Sequence, residues 1–148
     1  MEKRSLYHQQ VFEETLKRID SLTPETKPQW GKMDAAQMLA HCAETIDVAN
    51  GKPLVGTPFI VRLFKGYIKK MVVGPKPYPK NLKTHPQYLQ TTPKDFEQEK
   101  QHIVNALNKL KETEGEKIKH GMFGVLTPED KGWAMYKHLD HHLQQFGV

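Results

Sequence analysis

This sequence predicts an all-α fold, a four-helix bundle closed over one core, on three observations. Four segments carry apolar residues at helical intervals, three of them open on helix-start chemistry, and no stretch alternates apolar and polar residues as a half-buried strand would. With 148 residues the chain has the length of one domain, spanning 1–148.

The first helix is read from Ser5 to Leu22, with Val11, Phe12, Leu16, Ile19 and Leu22 on its apolar face. Thr23-Pro24-Glu25 starts a turn, and Pro28-Gln29-Trp30-Gly31 makes a compact connection whose tryptophan is expected to plug the end of the core. Asp34 and Gln37 have the spacing of a capping box, so the second helix starts there and ends at Asn50-Gly51. Ala35, Met38, Leu39, Cys42, Ile46 and Ala49 form its stripe, with His41 at the margin.

From Lys52 to Thr92 a long connection is broken by six prolines, a length that usually carries function. Phe59 to Met71 within it is amphipathic and basic, which fits either an extra helix covering the bundle, the favoured reading, or a helix lying on a membrane surface. The Gly74 to Pro79 tract is expected to wrap a bundle end. Thr92 and Pro93 are taken as the start of the third helix, with Phe96, Ile103, Leu107 and Leu110 facing inward up to about Lys111. Thr113 to Lys119 and His120 to Gly124 are read as loops, and Thr127-Pro128-Glu129-Asp130 opens the fourth helix.

That last helix holds three of the eight histidines. Gly132, Tyr136, Leu139, Leu143 and Phe146 form its apolar stripe, His141 points opposite it into solvent, and His138 and His142 stack one turn apart along one margin. Two neutral imidazoles at that spacing can share a divalent cation of the zinc or nickel type, and a ligand from a facing helix would close a third side. His41 has the same relation to its own helix and is the third ligand of choice. Each ligand must be unprotonated to coordinate, so proton competition is expected through the histidine range. Glu44, one turn beyond His41, is the candidate catalytic base. Asp140 is expected to pair with Lys137 or to orient a neighbouring group.

Composition narrows the class further. Hydrophobic content of 37% with 26% charged residues marks a globular chain rather than a disordered one. The net charge of +5 is spread along the chain instead of forming the runs of a nucleic-acid binder. One cysteine precludes an internal disulfide. With no signal-peptide pattern and no run of about eighteen apolar residues, a cytoplasmic protein that binds neither nucleic acid nor membrane is expected.

Trp30-Gly31-Lys32-Met33, Gln37-Met38-Leu39-x-His41 and Tyr136-Lys137-His138-x-Asp140-His141-His142-Leu143-x-Gln145-Phe146, with Phe123-Gly124-x-Leu126-Thr127 before the last helix, resemble the DinB-like (DinB/YfiT-like) metalloenzymes over essentially the whole chain. The likeness is to a branch catalogued as a domain of unknown function. It implies an up-down-down-up bundle holding one nickel or zinc ion on His41, His138 and His142, and relatives that include thiol-dependent transferases and isomerases and enzymes labelled hydrolases. Two positions depart from the pattern: Leu143 stands where many relatives have arginine, and Gly121 where proline is expected.

The expected function is therefore a metal-dependent transferase or hydrolase acting on a small molecule, with a low-molecular-weight thiol and a second copy of the chain as candidate partners. Lys65, Lys69, Lys70, Lys76, Lys80 and Lys83 would offer a place for the carboxylates of such a thiol. The rival is a non-catalytic binding or stress-response module that keeps the metal as a structural staple.

Overall fold

A computed structural model describes all 148 residues. It is mostly helical, with six helices and one tiny sheet. In order these are α1 (Gln9–Asp20), α2 (Ala35–Ala49), α3 (Phe59–Leu63), α4 (Lys65–Val73), a 3₁₀ turn at Pro86–Tyr88, α5 (Phe96–Glu112), β1 (Ile118–His120), β2 (Gly124–Leu126) and α6 (Pro128–Gln145).

The four longest helices, α1, α2, α5 and α6, share one core, joined from the connection by Val72 of α4. Small residues let α2 sit deep in it: Ala35, Leu39, Cys42, Ala43 and Ile46 are all at most 1% exposed. Cys42 is part of that core, its thiol pushed far up by burial, so it is not available as a nucleophile. The capping box of α2 is complete, with Asp34 Oδ1 accepting from Gln37 N at 2.8 Å and Gln37 Oε1 accepting from Asp34 N at 3.1 Å.

Four sequence expectations change. The first helix begins at Gln9, because Leu6 N instead donates to Gly132 O and draws the preceding segment across α6. The third begins at Phe96 with Asp95 as its N-cap, accepting from Gln98 N at 2.9 Å, while Thr92 uses its carbonyl to receive Gln37 Nε2. The two loops before α6 contain an antiparallel hairpin, Ile118 opposite Leu126 and His120 opposite Gly124, whose three-residue strands are too short to give an alternating signal. The basic helix of the connection breaks at Phe64 into α3 and α4. Only α4 covers the core; α3 buries none of its residues.

Lysines anchor α6 by giving their ammonium groups to carbonyls. Lys131 Nζ, on a side chain 1% exposed, donates to the Thr113 carbonyl at the C-terminal end of α5, a position where the helix dipole favours positive charge. Lys137 Nζ donates to the carbonyls of Met71 and Gly74 at 2.7 and 2.9 Å, and Trp133 Nε1 to that of Val73 at 3.0 Å. These three bonds fix the end of α4 against the middle of α6.

Gly132 is required by close approach: a Cβ there would collide with the Ser5 hydroxyl and stand 2.7 Å from Tyr7 Cδ2. Helix propensity alone would favour Gly132→Ala by about 1 kcal/mol, but overpacking costs about 1–3 kcal/mol. The expected outcome is a net loss of stability of up to about 2 kcal/mol in urea unfolding. A variant more stable than the parent would mean that the N-terminal segment gives way without cost.

Candidate metal centre

His41 projects from the middle of α2, and His138 and His142 from the second half of α6. His41 Nε2 is 3.0 Å from His138 Nε2. The ring centroids of His142 lie 4.7 Å from His41 and 4.8 Å from His138. One ring nitrogen from each residue falls within 4.8 Å of the others, so the three could hold a metal ion. Imidazole donors bound at about 2.0–2.1 Å to one cation stand roughly 3 Å apart, which is the scale of this group.

Outer hydrogen bonds decide which nitrogen is free. His41 Nδ1 is 2.8 Å from the Tyr88 carbonyl, which can only accept, so Nδ1 carries the proton and Nε2 keeps its lone pair. Gln145 Nε2 donates to the Trp30 carbonyl at 2.6 Å, which fixes the amide with Oε1 toward His142 Nδ1 at 2.8 Å. His142 Nδ1 is therefore the donor and its Nε2 is also a lone pair. Two imidazole lone pairs 3.0 Å apart repel. The His41–His138 contact therefore holds with a proton on His138 Nε2, or with a cation in place of that proton.

Burial keeps the group neutral. Desolvation lowers His41, against the opposing bond to Tyr88, and lowers His138 well below the ordinary histidine value, with the His142 and His41 charges adding to it. His142 falls to about 3, from desolvation first and His41 second, with Gln145 opposing. His41 is 3% exposed. His138 and His142 keep partly exposed edges, yet enough protein surrounds them for desolvation to dominate.

The loops on either side supply the walls. Trp30 meets His141 edge to face at 5.8 Å, and Tyr78 packs against His141 at 5.8 Å and His138 at 6.5 Å. Lys80 Nζ lies 4.3 Å from the centre of the Trp30 ring and Lys137 Nζ 4.3 Å from that of Tyr78. Trp30 is thus a half-buried wall beside the histidines rather than a plug in the core. His141 does not point into open solvent, because Trp30 and Tyr78 cover its side of α6.

Behind Tyr88 lies a second polar cluster. His85 Nδ1 accepts from Gln87 N, leaving Nε2–H to donate to Thr57 Oγ1 at 3.0 Å. His120 Nδ1 accepts from Met122 N, leaving Nε2–H for the Tyr88 hydroxyl at 3.3 Å. Desolvation, reinforced by His85, lowers His120 to about 4. This cluster seats the 3₁₀ turn whose carbonyl holds His41.

Glu44 is not among the grouped histidines. Its Oε2 pairs with Lys52 Nζ at 2.7 Å and its Oε1 accepts from Gln87 Nε2 at 2.9 Å. Burial raises its pKa, but these two bonds outweigh burial and hold it below the usual carboxylate value. Asp140 pairs with Arg18 at 2.7 Å rather than with Lys137. Among the lysines of the connection, Lys80 reaches the wall of the site, and Lys69 is tied to the Val125 carbonyl at 2.6 Å.

Residues 1–147 match a family model described as a protein of unknown function (DUF1569). The chain belongs to that family. No curated protein and no solved structure gave a match. The expected branch, a domain of unknown function, is borne out.

In this DUF1569 chain the supporting residues were the ones that sequence reasoning missed. Gln145 had a readable signal, an amide three residues after His142 on the same helix. Tyr88 had none, because it acts through its carbonyl, which no side-chain pattern reports.

Two outcomes are expected. The purified protein should take up about one equivalent of zinc or nickel, and His142→Ala should lose it while His141→Ala keeps it; equal loss in elemental analysis would refute the assigned ligand set. The second concerns pH. Six histidines (His41, His85, His120, His138, His141, His142) are lowered in the fold and one, His102 beside Asp47 and Glu99, is raised. Above about pH 6.5, the ordinary histidine value, the lowered groups are neutral in both states. Below it the unfolded chain takes up protons that the native state resists, so metal-free protein should lose stability from about pH 6.5 downward, before carboxylates titrate. Metal binding, by contrast, should stay strong to lower pH than free imidazoles would allow. Urea midpoints that stay flat between about pH 7 and 5 would contradict the buried neutral group.

Proposed function

We propose that this chain is a divalent-metal-dependent enzyme of the DinB-like kind, with zinc or nickel on His41, His138 and His142 and a small molecule as substrate. The carrying observation is the donor set: three neutral imidazoles with partner-fixed tautomers on two of them, and no fourth His, Cys, Asp or Glu in the group. Nitrogen donors suit zinc or nickel over calcium or magnesium. Three protein ligands rather than four is the pattern of catalytic sites, which favours an enzyme over a structural staple. The four long helices around one core support a DinB-like four-helix bundle.

A bound cation would supply Lewis acidity and would lower the pKa of a water or thiol presented to it. The chain's own residues do the rest. Tyr88 and Gln145 aim the two lone pairs. Trp30, Tyr78 and His141 exclude water from one side, and Lys80 over Trp30 offers an ammonium to a substrate carboxylate.

We assign Glu44 a positioning role: its bond to Gln87 pins the turn that presents the Tyr88 carbonyl to His41. An acidic thiol as substrate follows from Lys80 together with the resemblance to thiol-dependent transferases, with hydrolysis as the other branch of the same reading.

A cobalt-substituted protein separates these branches. Glutathione or cysteine should add a near-ultraviolet sulfur-to-cobalt charge-transfer band, and Lys80→Ala should weaken the thiol about three- to tenfold without changing cobalt stoichiometry. Metal-dependent ester or amide hydrolysis without any such band would assign the protein to hydrolysis. Absence of both would sink the enzymatic reading.

A further inference from the structure

The longest acid-free stretch of the chain is also its most exposed apolar one. Nine of the 22 Lys and Arg residues and none of the 17 Asp and Glu lie between Val48 and Lys94, a local charge of +9 that leaves −4 on the other residues. In the middle of this stretch Phe59, Ile60, Leu63, Phe64 and Tyr67 are 74, 62, 63, 55 and 71% exposed. Their spacing of i, i+1, i+4, i+5 and i+8 forms one stripe running from α3 onto the first turn of α4. Ile68 and Val72 take the opposite side and pack on the core. Arg62, Lys65 and Lys70 are exposed beside the stripe. Contiguous apolar surface of this kind, rimmed by charge, marks a binding face.

Charge selects what covers it. A two-fold dimer through the stripe would set two such +9 segments against each other with no acid in either to compensate, so a second copy is disfavoured. A nucleic acid would satisfy the lysines but leave Ile60 and Leu63 without an apolar partner. An anionic bilayer meets both needs, with acyl chains for the stripe and headgroups for the rim.

We infer that α3 and the start of α4 dock this protein on an anionic lipid surface, with Phe59, Ile60, Leu63 and Phe64 at the headgroup boundary and Tyr67 at its polar edge. The base of this device is rigid. Lys69 is bonded to the Val125 carbonyl, and Lys137 and Trp133 hold the far end of α4. The inference is independent of the metal chemistry, since none of these residues belongs to the histidine group.

The test uses the full chain and sedimentation with vesicles of phosphatidylcholine alone, or containing phosphatidylserine at about 30 mol %. Binding should be at least about tenfold tighter to the anionic vesicles and should weaken as salt rises from about 0.1 to 0.5 M. Ile60→Asp with Phe64→Asp should lower it about tenfold or more, and Arg62→Glu with Lys65→Glu should remove the preference for anionic lipid. These positions are exposed, so circular dichroism and metal content should not move; a variant that fails this control is replaced by Ile60→Ser with Phe64→Ser. Equal or absent binding to the two vesicles overturns the inference, as does binding that ignores both double variants. A dimer that Phe64→Asp dissolves, with no vesicle binding, would give the stripe to a second copy instead.

Discussion

Two imidazole nitrogens stand 3.0 Å apart in a place where neither ring can readily carry charge, and the rest of the structure is arranged around that constraint. In water such a pair would separate or protonate. Here α2 and α6 bring the rings together because each helix buries its own stripe in a common core. The Tyr88 carbonyl on His41 and Gln145 on the neighbouring His142 then keep the N–H groups of those two rings turned outward, and His138 meets His41 through a proton or a cation. What results is electron-rich, neutral and desolvated, which is the condition a divalent cation relieves and a proton relieves poorly.

The long connection is what makes this constraint hold. It gives Tyr88 to His41 and Tyr78 to His138 and His141, and it receives Trp133 and Lys137 of α6 on the carbonyls of Met71, Val73 and Gly74. Lys137, adjacent to His138, is lowered to about 8, by burial first and Lys3 second, yet it spends its ammonium on backbone acceptors rather than on a carboxylate. The arrangement lets an acid-free connection lie over α6 without a charged partner. Trp30 and Gly31 close the other side: a Cβ at Gly31, where φ is +85°, would stand 2.5 Å from Gln145 Nε2. The turn must pass that close for its carbonyl to fix the glutamine that orients His142.

Much of this was legible because it depends on periodicity. The α2 stripe, its capping box, and the i,i+4 pair His138 and His142 follow from 3.6 residues per turn, and His41 was found by its matching marginal phase. The misplacements have physical causes. Thr92-Pro93 and Asp95 both offer helix-start chemistry, and a local signal cannot rank them; the structure uses Asp95 and gives the Thr92 carbonyl to Gln37. His141 was phased correctly as facing away from the core stripe of α6, but helical phase says nothing of a loop that returns to cover it. Glu44 lay one turn from a ligand, and only the fold reveals that Lys52 and Gln87 already occupy its oxygens.

The same logic separates the two halves of the connection. Where its basic residues meet protein they are held, Lys52 by the Glu44 carboxylate, Lys69 by the Val125 carbonyl and Lys80 by the face of Trp30. At α3 there is no such provision: Arg62 and Lys65 flank five large apolar side chains that the core does not claim. A covering helix would have turned Phe59, Ile60 and Leu63 inward, as α4 turns Ile68 and Val72. Since α4 alone already spans the gap over α6, the apolar residues of α3 contribute nothing to closing this core. A surface outside the chain would give them the apolar contact that the core does not, and the absence of any acid from Val48 to Lys94 suits an anionic one.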